Sequence, residues 1–247
     1  MSLQGFKNKH LEKSLFSPTD YINYKKWDRS KFPKKYVLIY PSSIKRYFLK
    51  NYKTKKYHLY SLLDIYVYKD IGFVKMHGIG SPLAGAIMEE LIALGGKKFI
   101  NIGTAGGLNK EGIFLCEKAL RDEGTSHHYA PKGRFSYPDK ELTEKLARNL
   151  EKLGIEFSMG ISWTIDAPYR ETKKEVEKYV KEGITNVEME ASALFVIAKY
   201  RKVKIASVFV VSDLLGKKWL PKFHRFDIRR SLNKVFDAGV ECLRSEK

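Results

Sequence analysis

Residues 73–102 read FVKMHGIGSPLAGAIMEELIALGGKKFINI, and this stretch decides the fold class. Residues 73–76 are a short apolar run, as a buried strand requires. The run ends in His77-Gly78-Ile79-Gly80-Ser81-Pro82. From Pro82 onward Leu83, Ile87, Leu91 and Leu94 recur every three or four positions, which predicts a helix. Proline suits its first turn, and Gly95 suits its C-terminal stop. Residues 98–102 then read as a second strand. Strand, glycine turn, helix, glycine stop and strand together form the unit from which α/β sheets are built.

The same alternation extends in both directions. Residues 36–40 are an apolar strand ended by Pro41, and residues 64–68 and 73–76 flank Lys69-Asp70-Ile71-Gly72 as a hairpin. Residues 142–153 form an amphipathic helix closed by Gly154, and residues 157–164 are strand-like. Residues 173–180 are helical again, and 191–200 read as an apolar helix. A β-branched strand follows over 205–211, and residues 231–243 form a closing helix. The expectation is a single α/β domain over residues 36–247, with a mixed central β-sheet flanked by helices. Residues 1–35, polar, basic and aromatic, read as an arm preceding it.

Composition narrows the function classes. The chain has 247 residues, 43% hydrophobic and 30% charged, which is ordinary for a soluble globular protein. No stretch approaches the roughly 18 apolar residues of a membrane span. Residues 1–13 lack the apolar core of a secretory signal. Cys116 and Cys242 form no CxxC motif, so neither a disulfide framework nor a metal site is expected, and a cytoplasmic setting is. The formal net charge of +18 is spread along the chain, and over 171–182 lysines alternate with glutamates. That pattern describes solvated helix faces rather than a nucleic-acid site.

Three places hold residues suited to chemistry. The His77–Pro82 turn offers close backbone approach at the start of a helix, although a tight strand-to-helix connection accounts for it as well. Gly103-Thr104-Ala105-Gly106-Gly107 reads as a loop after the strand ending at Ile102. Its N–H groups and the Thr104 hydroxyl suit a phosphate or a sugar. The third place pairs Val187-Glu188-Met189-Glu190-Ala191-Ser192 with Val210-Val211-Ser212-Asp213. A carboxylate there accepts hydrogen bonds from a vicinal diol, and helix capping is the alternative for Glu188 and Glu190. Asp213 follows a Val- and Phe-rich strand, so it reads as a carboxyl at the strand exit, suited to general acid work.

In this order the four segments GIG, IGTAGG, VEMEAS and VSD resemble the nucleoside phosphorylase-I family. That family comprises purine nucleoside phosphorylases, uridine phosphorylases and methylthioadenosine nucleosidases. The resemblance runs from about Tyr36 to Val211, and VEMEAS is its most specific element. Residues 121–129, RDEGTSHHY, are similar to the substrate loop of the phosphorylase branch.

The resemblance implies cleavage of an N-glycosidic bond, with inorganic phosphate as co-substrate and no other cofactor or metal. Glu190 would hold the ribose hydroxyls beside Glu188, with Met189 and Ile79 against the sugar. Tyr169 would lie near the base, and Asp213, next to Ser212, would protonate a purine. Arg46 in Pro41-Ser42-Ser43-Ile44-Lys45-Arg46 would bind phosphate from a loop, together with Gly103, Thr104 and His58. Asn101 stands where the family carries a second phosphate-binding arginine. His10 would touch the 5′-hydroxyl from a neighbouring subunit's arm, because family members are hexamers or dimers. Phosphate-independent hydrolysis, uridine cleavage and a non-catalytic nucleoside- or nucleic-acid-binding role are the alternatives.

Overall fold

The strand–helix–strand order over 73–102 holds in the computed structural model, which describes residues 8–216, 218–223 and 225–244. The strands are β1 (Lys35–Ile39), β2 (Lys55–Tyr60), β3 (Leu63–Tyr68), β4 (Ile71–Lys75), β5 (Lys98–Gly107) and β6 (Ile113–Asp122). They continue with β7 (Phe135–Ser136), β8 (Ser158–Ile165), β9 (Ile184–Glu188), β10 (Lys204–Leu215) and β11 (Trp219–Pro221). The α-helices are α1 (Pro18–Tyr24), α2 (Ser42–Asn51), α3 (Ser81–Ala93), α4 (Lys140–Lys152), α5 (Lys173–Lys181), α6 (Ala191–Arg201) and α7 (Phe226–Arg244). No helix among the described residues is long and apolar enough to cross a membrane.

The strands join one mixed sheet, as the alternating sequence pattern predicts. Part of that sheet closes on itself. β5 is parallel to β10, β10 antiparallel to β6, and β6 parallel to β8. β8 is parallel to β9, and β9 returns antiparallel to β5 at Gly106 and Gly107. The remaining strands extend the ring as an open wing: β1 pairs with β5, β4 with β1, β3 with β4 and β2 with β3.

The two sheet faces carry separate cores. Ile100, Ile102, Val208 and Val210 pack with α2, α4 and α7 residues such as Phe48, Leu146 and Phe236. Phe99, Ala105, Ile205 and Phe209 pack with α3 and α6 residues such as Met88, Leu91 and Leu194. Each large side chain so buried contributes about 1.5–3 kcal/mol. Within residues 8–34, α1 lies against α3: Ile22 is fully buried in the second core, and Trp27 stacks on Tyr60 at 6.1 Å.

Three local expectations need correction. Residues 103–107 are not a loop but the continuing strand β5, paired from Gly103 with Phe209 through Gly107 with Leu214 of β10. The glycines serve the seam: a Cβ on Gly107 would lie 2.3 Å from the Lys110 carbonyl oxygen, and one on Gly106 would lie 2.8 Å from Leu215. Residues 42–46 are not a loop either, because α2 begins at Ser42 directly after Pro41. Asp213 sits inside β10 rather than at its exit, beside a bulge between Val211 and Asp213.

Candidate functional site

The His77–Gly80 turn and the Glu188–Glu190 segment are tied together. Gly80 has φ 103°, a backbone state that favours glycine, and its N–H donates to Glu190 Oε1 at 2.6 Å. The Ser81 hydroxyl donates to the Met189 carbonyl at 2.7 Å. The two carboxylates have separate work. Glu188 Oε2 accepts from the backbone N–H groups of Glu190 (2.8 Å) and Ala191 (2.7 Å), and its Oε1 accepts from Thr164 Oγ1. Glu188 therefore satisfies the start of α6, the capping role left open by the sequence. Glu190 reaches across to the turn and is itself only 6% exposed. Burial first, and then the Glu188 charge, hold its pKa above the usual carboxylate range.

A buried network braces this segment from behind. Ser192 Oγ donates to Glu123 Oε1 at 2.7 Å, and Glu123 Oε2 accepts from the Ser126 N–H at 2.8 Å. Residues 121–129, expected as a substrate loop, thus divide in two. Arg121 and Asp122 end β6, and Thr125–His128 form a 3-10 turn anchored to α6 through Glu123.

At the end of β10, β11 folds back antiparallel and places Trp219 against Asp213. Asp213 Oδ2 accepts from Trp219 Nε1 at 2.8 Å, and Oδ1 accepts from Ser212 Oγ at 2.9 Å. The half-buried Glu171 is pushed up to about 7 by burial, then by the Asp213 and Glu175 charges. Sequence reasoning missed Glu171. Its only sequence signal is its place two residues after Tyr169, where the chain leaves β8. Tyr169 is 99% exposed on the Pro168–Arg170 turn, and Ile79 is 64% exposed on the glycine turn.

The residues expected to hold phosphate lie on three elements, α2, β2 and β5. Arg46 is exposed on α2, and His58 is exposed on β2, where its Nδ1 lies 2.7 Å from Asp64 Oδ1. Gly103 lies under aromatic rings, since a Cβ there would be 3.4 Å from Tyr40 and 3.5 Å from Phe209. Strand alternation puts Thr104 on the opposite face, with Ile100 and Ile102. Asn101 is fully buried, with its Nδ2 donating to Ser207 Oγ at 3.2 Å.

Other cations gather beside His58, whose partner Asp64 also accepts Lys56 Nζ at 2.9 Å. The His77 pKa is lowered by burial and then by Lys75, with Lys45 and Lys56 acting in the same direction. The Lys75 pKa is lowered by burial and then by Lys45. Lys45 and Lys56 both lie over the Tyr66 ring, at 5.3 and 5.7 Å from its centroid. Lys75 was missed in the sequence, and His77 was read only as the first residue of the glycine turn. His10 lines a cleft of about 1030 Å³ with Pro82, Gly124, Asp166, His128 and Arg201.

Residues 49–244 match the family model described as the Phosphorylase superfamily. The chain is 33% identical over 150 residues to a purine nucleoside phosphorylase of Plasmodium vivax, covering 58% of this chain and 61% of that protein. It is 30% identical over 149 residues to a uridine phosphorylase of Treponema pallidum, covering 54% and 58%. The matched region thus spans about three fifths of these relatives' length. Among solved structures, an AMP nucleosidase from Bacteroides thetaiotaomicron shares the fold, with a TM-score of 0.77 at 21% identity, covering 94% of this chain and all of that one. With a matched region running from α2 through α7, the chain belongs to the Phosphorylase superfamily.

Proposed function

We propose that this chain cleaves the N-glycosidic bond of a purine nucleoside with phosphate, releasing the free base and ribose 1-phosphate. The observation that carries this reading is Glu190, a buried carboxylate fixed by Gly80 at the mouth of the strand ring. In this position it accepts hydrogen bonds from the ribose hydroxyls. A phosphate oxygen then forms a bond to C1′ as the bond from C1′ to the base nitrogen breaks. The electron pair leaves on the base, and Asp213, entering the step as the carboxylic acid and leaving it as the carboxylate held by Ser212 and Trp219, supplies the proton that neutralises it. Lys45 and Lys75 beside His77 supply positive charge an anionic co-substrate needs, a role the resemblance gave to Arg46 and His58, with Lys45 as a further cation. Lys56 is already paired with Asp64.

Hydrolysis is the second reading, and the neutral, fully buried Asn101 favours it. Turnover of inosine, adenosine, uridine and methylthioadenosine, with and without phosphate, separates the two. Phosphate-dependent formation of ribose 1-phosphate supports phosphorolysis. Turnover that ignores phosphate assigns water as the acceptor, and no turnover of any nucleoside overturns both.

A further inference from the structure

Tyr40, the residue following β1, has a hydroxyl that nothing in the resemblance or the proposed reaction uses. The residue as a whole is half-buried, yet its hydroxyl oxygen is buried and has no hydrogen-bond partner. A group stripped of water and left unpaired is costly, so buried hydroxyls are mostly paired. An unpaired one beside a ligand site points to a partner that arrives with the ligand.

Three features place Tyr40 at that site. The Met76 N–H donates to the Ile39 carbonyl at 2.8 Å, which lays the His77–Gly80 turn alongside Tyr40. The far end of the same turn is bonded to Glu190 through Gly80, so Tyr40 and Glu190 bracket it. The Tyr40 ring rests on Gly103, where a Cβ would lie 3.4 Å from its Cδ2. Burial, followed by the Glu190 and Glu188 charges, holds the phenol pKa well above 10, so at neutral pH the group is an O–H donor. It makes no hydrogen bond to either carboxylate.

A second orphan shares this sheet face. Asn101 lies two residues before Gly103, and one atom of its buried amide is unpartnered. Exchanging the amide oxygen and nitrogen leaves one atom unpaired either way, because Ser207 satisfies only one of them.

We propose that the Tyr40 hydroxyl is a sugar-binding group, donating to a ribose hydroxyl oxygen whose own proton goes to Glu190. One hydroxyl then accepts from a phenol and donates to a carboxylate, which uses both of its hydrogen-bonding capacities. The chemistry selects a ribonucleoside over its deoxy counterpart at that position. This assignment rests on the reading that Glu190 holds the sugar, but it is independent of whether phosphate or water is the acceptor.

Equilibrium binding of inosine, 2′-deoxyinosine and 3′-deoxyinosine to the full chain, without phosphate, tests it in the wild type and in Tyr40→Phe. The wild type is expected to bind one deoxynucleoside more weakly than inosine. Tyr40→Phe is expected to bind inosine roughly 5- to 15-fold more weakly, with that same deoxynucleoside unaffected. A thermal melt equal to or above that of the wild type accompanies this result, because removing an orphan hydroxyl does not weaken the fold. Should Tyr40→Phe fail to fold, Tyr40→Met serves as the second variant, with the same loss of discrimination expected. Inosine bound equally by wild type and variant overturns the proposal and marks the hydroxyl as the partner of a buried water. A wild type that binds no nucleoside instead overturns the sugar-site reading of Glu190.

Discussion

Glu190 accepts a 2.6 Å hydrogen bond from the backbone N–H of Gly80, a residue 110 positions earlier in the chain. With the Ser81 hydroxyl bond to the Met189 carbonyl, this contact ties the glycine turn to the Glu188–Glu190 segment. Glu190→Gln keeps an oxygen for Gly80 but removes the charge. Nucleoside kcat/KM is expected to fall roughly 10- to 100-fold, as the loss of charge-assisted hydrogen bonds predicts. The folded state holds the Glu190 proton more tightly than the unfolded chain does. Wild-type stability therefore declines as pH rises above the ordinary glutamate range, and Glu190→Gln lacks that part of the decline. Steady-state kinetics and denaturant melts across pH check both outcomes.

Glu188 differs from its neighbour in kind. It satisfies two backbone N–H groups at the start of α6 and a threonine hydroxyl. Glu188→Ala strands these buried donors, and unfolding free energy is expected to drop by about 2–4 kcal/mol. Glu188→Gln retains an acceptor and should lose less. Urea denaturation of the two variants measures the difference.

The lysines around His77 make a separable prediction about the acceptor. Lys45→Ala and Lys75→Ala are each expected to raise the KM for phosphate by about 10-fold, with little change in nucleoside KM. Arg46, exposed on the outer part of α2, should be replaceable by alanine with less than about a twofold effect. An Arg46→Ala defect larger than that of either lysine variant would reverse the assignment.

Glu171 gives a pH signature of its own. Its folded-state value of about 7 lies above its ordinary 4.5, so the proton favours the folded chain. Its contribution to stability is complete below pH 4.5 and is lost as pH climbs to about 7. Glu171→Gln is expected to flatten that part of the stability profile. Thermal melts of wild type and variant between pH 4 and 8 decide it, and superimposable profiles would refute the shift.

The elements read from the sequence are those with strong local periodicity. α3, α4 and α6 end within one to two residues of where apolar spacing and glycine stops put them. What escaped were features decided by distant chain. Glycines 103–107 read as a loop because glycine weakens strands in isolation, yet here β9 and β10 approach so closely that side chains would collide. α2 was missed because Pro41 and two serines hide its start, and Ile44 and Phe48 bury only two positions of its face. In the site, Glu190 and Asp213 were legible as unusual carboxyls next to apolar segments. Lys75 and Glu171 were not, because their environment comes from elements far away in sequence.

The ring of β5, β10, β6, β8 and β9 also orders events in time. β5 pairs with β10, a strand begun about a hundred residues later, and Asp213 and the Trp219 that holds it lie near the C-terminal end. A chain still emerging from synthesis can form β1, β4 and α3 early, because they are close in sequence. It cannot set Asp213 beside Gly106 of β5 until β10 arrives. Such non-local pairing slows folding, so the surroundings of Asp213 are among the last parts of the molecule to assemble. A chain truncated before β10 would lack them altogether.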